Sequence, residues 1–292
     1  DRGWAGFGGW TGSRGRDGAD VVHAPSFAVP PRRGAPVGVT VHDLAWRHVP
    51  DAYPLRGRRW HEAALGRALE RASLFVTPSR TTADALINAG APPTAVEVVD
   101  EGSDHLPEPD HAAADAVLAR LGIAGPFLLS VGTLEPRKNL ARLVAAYATA
   151  RPRLPEPWPL VVVGPRGWGG PAPTDSVGVA LAGWVDDPVL ASLYQRSRVV
   201  VYVPLLEGFG LPAVEAMAAG TPVVASPMPS TGKAALEVDP GNVDAIAAAL
   251  VAAATDDDIR TNLIAAGNER AAALTWEATA RAHVELWRSL GD

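Results

Sequence analysis

The chain reads as two α/β domains in tandem, each a parallel sheet covered by helices. Three observations predict this. Short apolar runs alternate with segments of helical period along most of the sequence, the pattern of strands linked by crossover helices. The 292 residues are too many for one ordinary domain and suit two. Hydrophobic residues make up 47% and charged residues 20%, ample material for packed cores.

DVVHAPS and APVGVTVHD are the first apolar runs, and RRWHEAALGRALERA follows with apolar residues three and four apart. SLFVTPS reads as a strand, TTADALINAG as a helix ending on glycine, and AVEVVDEG as a strand. HLPEPDHAAAD, from His105 to Asp115, is rich in proline and acid and is the candidate linker. A second series follows: FLLSVG, NLARLVAAYATA, LVVVG, VALAGW, VLASLYQRS, VVVYVP, LPAVEAMAAG and PVVAS. The remainder, from NVDAIAAALVAAA to TWEATARAHVELWRSL, is almost all helical. The boundaries expected are residues 1–108, 109–275 and a final helix over 276–292. The opening DRGWAGFGGWTGSRGRDG is polar and glycine-rich and lacks the apolar core of a signal peptide. It reads poorly as the start of a domain, so the first domain is expected to be incomplete.

The net charge of −6 argues against nucleic-acid binding, which favours a basic face. The absence of cysteine excludes a disulfide scaffold, a thiolate zinc site and a cysteine nucleophile, and fits a cytosolic protein. No apolar run reaches the roughly 18 residues of a transmembrane helix.

The chemistry gathers where strands hand over to helices. VVVYVP runs into LLEGFGLPAVEAMAAG, with Glu207, a Gly-Phe-Gly turn, Pro212 and Glu215. In an open α/β sheet, ligands bind beyond the carboxyl ends of the strands. Gly208 and Gly210 allow a tight turn with backbone N–H groups close to a ligand. Pro212 suits a first helical turn, and the helix N-terminus offers free N–H donors to a phosphate. Glu215 is expected in that first turn, able to accept from sugar hydroxyls. Either glutamate alone has a plain structural explanation, as a helix-dipole partner or a solvated loop residue; two around one glycine turn point to function.

SVGTLEPRKNL repeats the arrangement: an apolar run ends at Gly132, and a helix begins near Asn139. Arg137 and Lys138 there suit a diphosphate, because charge-assisted hydrogen bonds to phosphate are the strong ones. In VTVHDLAW, His42 and Asp43 follow a buried-looking strand, and His42 can reach a sugar hydroxyl or phosphate, although a lone histidine is more often structural. His23 is similar and weaker, and the remaining histidines show no metal spacing. Asp256, Asp257 and Asp258 are read as a helix N-cap. In GWVDDPVLASLY an ordinary loop and helix cap is favoured over a base pocket. PSTGKAA is not a P-loop, because Pro227 and Ala234 occupy positions that need glycine and Ser or Thr.

Together these segments resemble the retaining glycosyltransferases of family 4. EGFGLPAVE is similar to the family's E-x7-E motif, with GTLEPRKN and LAGWVDDPVLASLY before it and HDL upstream. The resemblance runs from about Asp20 to the end. It implies the GT-B fold, two Rossmann-like domains with parallel sheets facing across a cleft and C-terminal helices crossing back. It also implies that Lys138 and Arg137 hold the donor diphosphate, with Gly132 and Thr133 beside it. Glu207, with the Gly208, Phe209, Gly210 and Leu211 backbone, would face the transferred sugar, and His42 would sit close by. Glu215 would take the ribose hydroxyls, and Val185 and Leu190 would border the base.

The activity so implied is transfer of a hexose from a nucleotide-sugar, with retention and without metal or other cofactor, to a glycan, lipid-linked or small-molecule acceptor. GTLEPRKN, HAPS and HDL are most similar to the mannosyltransferase-like branch, which points to GDP-mannose. Three features depart from the family: Thr133 stands where many relatives have arginine, the strand and glycine loop with which the family's longer first domain begins are absent or scrambled here, and the segment between Ser226 and Ala234 is short. The alternatives are a glycoside hydrolase using Glu207 and Glu215, and a nucleotide-sugar-binding protein without turnover. RGRRWHEAALGRALERA, with its arginines among apolar residues, is a candidate for peripheral membrane contact.

Overall fold

The structure is a computed structural model that describes residues 19–29, 34–156, 158–169 and 176–291. The glycine-rich opening stretch, and the expectation attached to it, lie outside the described residues.

The first sheet is built from β1 (Val22–Ala24), β2 (Val37–Thr40), β3 (Leu74–Thr77) and β4 (Val96–Val98), in that order and all parallel. Between β2 and β3 run the short α1 (Ala45–His48) and the long α2 (Leu55–Arg71); α3 (Arg80–Asn88) links β3 to β4. Helix α2 buries Ala64, Leu65 and Ala68, one stripe of its surface. Helix α3 starts on Ser79, whose hydroxyl accepts from the Thr82 N–H. These helices close one face of the sheet over Val37, Val39, Phe75, Leu65 and Leu86.

The candidate linker is only partly a linker. Asp110 accepts from the Ala113 N–H and starts α4 (His111–Arg120), which buries Ala114 and Leu118 one turn apart. The acidic residue read as linker chemistry is a helix cap.

The second sheet comprises β5 (Leu128–Val131), β6 (Leu160–Val163), β7 (Val179–Gly183), β8 (Val199–Tyr202), β9 (Val223–Ala225) and β10 (Leu236–Glu237). Its order is β10-β9-β8-β5-β6-β7, again all parallel. The linking helices are α5 (Leu140–Ala150) after β5, α6 (Asp187–Arg196) after β7, α7 (Leu211–Ala218) after β8, and α8 (Val243–Thr255) and α9 (Asp257–Ala272) after β10. Neighbouring residues face opposite ways: Leu129, Val200 and Tyr202 join one core, and Leu128, Val199 and Val201 the other. A sheet buried on both faces explains strand runs that are apolar throughout. Asp256 caps α9 as expected, accepting from the Asp258 and Ile259 N–H groups.

The last helix, α10 (Trp276–Gly291), returns to the first sheet and covers its open face, with Ala282, Leu286 and Leu290 against Leu74, Val76 and Val99. Among the described residues no helix is long and apolar enough to cross a membrane.

Candidate active site

In the six-stranded sheet, the chain runs outward from β5 in one direction and from β8 in the other. The two strands lie side by side at the point where the order reverses. Loops leaving the carboxyl ends of such a pair diverge and open a crevice, the usual ligand seat of this architecture. The two loops singled out in the sequence are the ones that leave β5 and β8.

The β5 loop leaves at Gly132, whose φ of 152° favours glycine. It passes through a short 3-10 turn at Pro136–Lys138 and enters α5 at Asn139, a left-handed residue with φ 61°. Asn139 repays that conformation by donating to the carbonyls of Val203 (3.0 Å) and Pro240 (2.8 Å), which ties the loop to the end of β8. The Leu205 N–H donates to the Arg137 carbonyl at 2.9 Å, a second stitch.

Three donors then converge on one oxygen. Arg137 Nη1 (2.7 Å), Lys138 Nζ (2.6 Å) and the Tyr202 hydroxyl (2.9 Å) all donate to Glu207 Oε1. Lys138 also donates to the Tyr202 oxygen at 2.7 Å, and Arg137 to the Leu206 carbonyl at 3.0 Å. No donor among the described residues reaches Glu207 Oε2. Burial by itself would raise the proton affinity of Glu207; Lys138 and Arg137 outweigh it and hold the carboxyl below its ordinary range. Arg137 is locked in its charged form, with Glu207 overcoming the cost of burial. Burial, and then the Glu207 charge, drive the Tyr202 phenol upward, so it stays a donor.

Glu135, also buried, places Oε1 3.0 Å from Arg137 Nη2 without hydrogen-bond alignment. Burial pushes its carboxyl upward against the pull of Arg137.

Glu215 belongs to a separate network. It lies in the second turn of α7, not the first as its spacing from Pro212 suggested, because the helix begins at Leu211 directly after the left-handed Gly210. It is buried, with the Tyr194 hydroxyl donating to Oε2 at 2.7 Å and His105 Nε2 3.2 Å from Oε1. The hydrogen bond to Glu215 raises His105 against the effect of its burial. On its other side, His105 Nδ1 accepts from Trp276 Nε1 at 3.1 Å, which links Glu215 to the start of the returning helix.

The Gly-Phe-Gly turn is clamped from both sides. Phe209 is buried in the core, and Ser230 reaches up from below: its N–H donates to the Phe209 carbonyl (3.2 Å) and its hydroxyl to that of Gly210 (2.9 Å). From the four-stranded side, the Ser79 hydroxyl donates to the Gly208 carbonyl at 2.6 Å. A Cβ on Gly208 would collide with the His42 carbonyl oxygen, so only glycine allows the two halves to meet here. His42 therefore stands beside the turn, its side chain 55% exposed, with Nδ1 3.0 Å from Glu101 Oε1 and Nε2 3.1 Å from the Pro25 carbonyl.

The remaining expected residues sit around this centre. Gly132 lies against the Lys138 stem, and Thr133 is half-buried next to it. Leu211 opens α7. Val185 turns its side chain into the core, and half-buried Leu190 packs on it, so a ligand there would meet backbone. Asp186 makes no capping hydrogen bond, unlike the favoured reading of that segment. Sequence reasoning missed Tyr202, Tyr194, His105, Glu135, Glu101 and Ser230. Tyr202, at the end of an otherwise aliphatic strand, was the one visible signal.

Residues 125–256 match the family described as Glycosyl transferases group 1, and residues 12–105 match Glycosyltransferase Family 4. The chain is 33% identical over 272 residues to O-antigen chain mannosyltransferase B of Escherichia coli, covering 88% of this chain and 71% of that protein. The chain belongs to glycosyltransferase family 4. The D-inositol 3-phosphate glycosyltransferase of Kribbella flavida is 35% identical over 223 residues, 68% of this chain and 52% of that protein. Among solved structures, sucrose-phosphate synthase from Thermosynechococcus elongatus superimposes with a TM-score of 0.72 at 25% identity, covering 93% of this chain and 73% of that one. The architecture is GT-B, and membership makes this chain a glycosyltransferase of the mannosyltransferase-like branch, a hexosyl-transferring enzyme by class. The hydrolase reading loses its basis, since Glu207 and Glu215 serve separate networks within a glycosyltransferase.

Proposed function

We propose that this glycosyltransferase moves a mannosyl group from GDP-mannose to a glycan, lipid-linked or small-molecule acceptor, with retention and without a metal ion. The observation that carries the reading is the convergence of Arg137, Lys138 and Tyr202 on Glu207 at the switch between β5 and β8. A departing nucleoside diphosphate gains negative charge, and two fixed cations beside the N-terminus of α7 can stabilise it as a divalent ion would. Glu207 Oε2, which no donor among the described residues reaches, can accept from a hydroxyl of the transferred sugar. Glu207 itself is a poor base, because three donors, two of them cations, hold it ionised. With no nucleophile in the motif, reaction on one face of the sugar fits, the leaving phosphate oxygen taking the acceptor's proton. Mannose is favoured by the printed name of the Escherichia coli relative. The name of the Kribbella relative, D-inositol 3-phosphate glycosyltransferase, supports the small-molecule alternative for the acceptor.

The test is titration calorimetry with GDP, UDP and ADP in the absence of metal. GDP should bind selectively, and Lys138→Ala should weaken it about ten- to hundredfold, the range of a lost charge-assisted hydrogen bond. Glu215→Ala should weaken it as well. Equal binding of all three nucleotides, or binding indifferent to Lys138→Ala, would overturn the donor assignment. Peripheral attachment through Arg56, Arg58 and Arg59 of α2 belongs to the same reading; co-sedimentation with anionic vesicles that ignores Arg-to-Glu changes there would remove it.

A further inference from the structure

The loop after β2 is fixed from several directions before its histidine meets any ligand. The Val41 N–H donates to the Val76 carbonyl at 2.8 Å, and the Ala45 N–H to Asp43 Oδ1 at 2.9 Å. The His42 carbonyl accepts from the Thr82 hydroxyl at 3.4 Å and abuts Gly208. The imidazole is therefore held by its own backbone at the mouth of the crevice.

Its two ring nitrogens face unusual company. Nδ1 lies 3.0 Å from Glu101 Oε1 and Nε2 lies 3.1 Å from the Pro25 carbonyl. A carboxylate and a backbone carbonyl can only accept. A neutral imidazole carries one N–H and would leave one of these contacts as a repulsion between lone pairs. Only the imidazolium, with both nitrogens protonated, satisfies both. The groups facing the ring agree in sign: Glu101 from the loop after β4, Asp43 from its own loop and the Pro25 carbonyl after β1.

We propose that Glu101 is a positioning residue that keeps His42 an imidazolium, so that His42 meets the substrate as a fixed cation and N–H donor and not as a proton acceptor. The proposal rests on the glycosyl-transfer reading for its catalytic consequence only. Nε2–H can exchange the Pro25 carbonyl for an oxygen of the donor while Nδ1–H stays on Glu101. The acceptor's proton must then travel elsewhere than to His42. The hydrogen bond to Glu101 is also the largest influence on the ring's proton affinity, raising it above the ordinary histidine value against the opposing effect of burial.

The experiment is a nitrogen-15 NMR titration of histidine-labelled protein, with the His42 ring assigned by its loss in His42→Gln. In the unaltered chain both ring nitrogens should show protonated shifts at pH 6.5, with a titration midpoint above the ordinary histidine value. Glu101→Gln keeps the shape and removes the charge, and should move the midpoint down; Glu101→Asp should keep it raised. In transfer assays at a pH between the two midpoints, Glu101→Gln should lower kcat about ten- to hundredfold with little change in donor KM, and Glu101→Asp should recover most of the loss. A midpoint unchanged by Glu101→Gln, or a neutral His42 ring at pH 6.5, overturns the proposal. The NMR readout needs no turnover, so failure of the transfer reading would be seen separately, as absence of product with a normal His42 titration.

Discussion

Glu207 shows how one side chain can hold two loops. Its Oε1 neutralises two cations that burial would otherwise leave exposed to each other. Glu207→Ala should therefore destabilise the fold by about 3–5 kcal/mol, the usual cost of stranding buried charge, measurable by urea denaturation; Glu207→Gln should cost less while still weakening transfer. The carboxyl's lowered proton affinity sets the direction with pH. Its contribution is present above the ordinary glutamate value of 4.5 and is lost as pH falls through the lower folded value. His42 behaves oppositely. Its raised affinity means that the Glu101 contact contributes fully below the ordinary histidine value of 6.5 and fades as pH rises through the folded value. Unfolding measured from about pH 3 to 9 should show a smaller loss below pH 4.5 for Glu207→Gln than for the unaltered chain.

At the scale of elements, the caps and turns do double duty. Ser79 starts α3 by accepting from Thr82 N–H and, through the same hydroxyl, donates to the Gly208 carbonyl across the crevice. Ser79→Ala should cost stability as any lost N-cap does, about 0.5–2 kcal/mol, and in addition raise the donor KM. Asp256→Ala removes an N-cap of the same kind from α9, which starts beside Arg198 at the amino end of β8, and should cost stability alone. Comparing the two by thermal melts and donor titration separates the cap from the clamp. Gly208→Ala is expected to be more severe for function than for folding, since the added methyl group meets the His42 carbonyl between the two halves.

At the scale of the molecule, α10 joins what the crevice divides. Trp276 at its start reaches His105 and so Glu215, while Leu286 and Leu290 near its end complete the core under β3. Trp287 Nε1 donates to His23 Nδ1 at 3.1 Å, and His23 Nε2 lies 2.9 Å from the Thr40 hydroxyl, an arrangement that fits the neutral ring. Burial, and then His283, lower the proton affinity of His23. Acid should therefore loosen the seat of α10: stability falls as pH drops below the ordinary histidine value of 6.5 toward the lower folded value. Hydrogen exchange of β3 and α10 at pH 5.5 and 7.5 would register it, and equal protection at both would refute it.

Much of this was legible in one dimension. Continuous apolar runs spaced by helical segments identify parallel sheets, because a strand covered on both faces has no room for polar alternation. Glycine, proline and charge at the ends of those runs mark the crevice, because backbone turns and helix starts need particular residues at particular offsets. Arg137, Lys138, Glu207 and Glu215 were found that way. Only the tertiary structure brought Tyr194 and His105 to Glu215, Tyr202 to Lys138, and Glu101 to His42. The order β10-β9-β8-β5-β6-β7 places the two loops side by side, and no local pattern records strand order. Glu101 and His42 are 59 positions apart and Ser79 and Gly208 are 129 apart. Contacts at such separations are set by how sheets and helices pack, so the sequence determines them only through the complete fold.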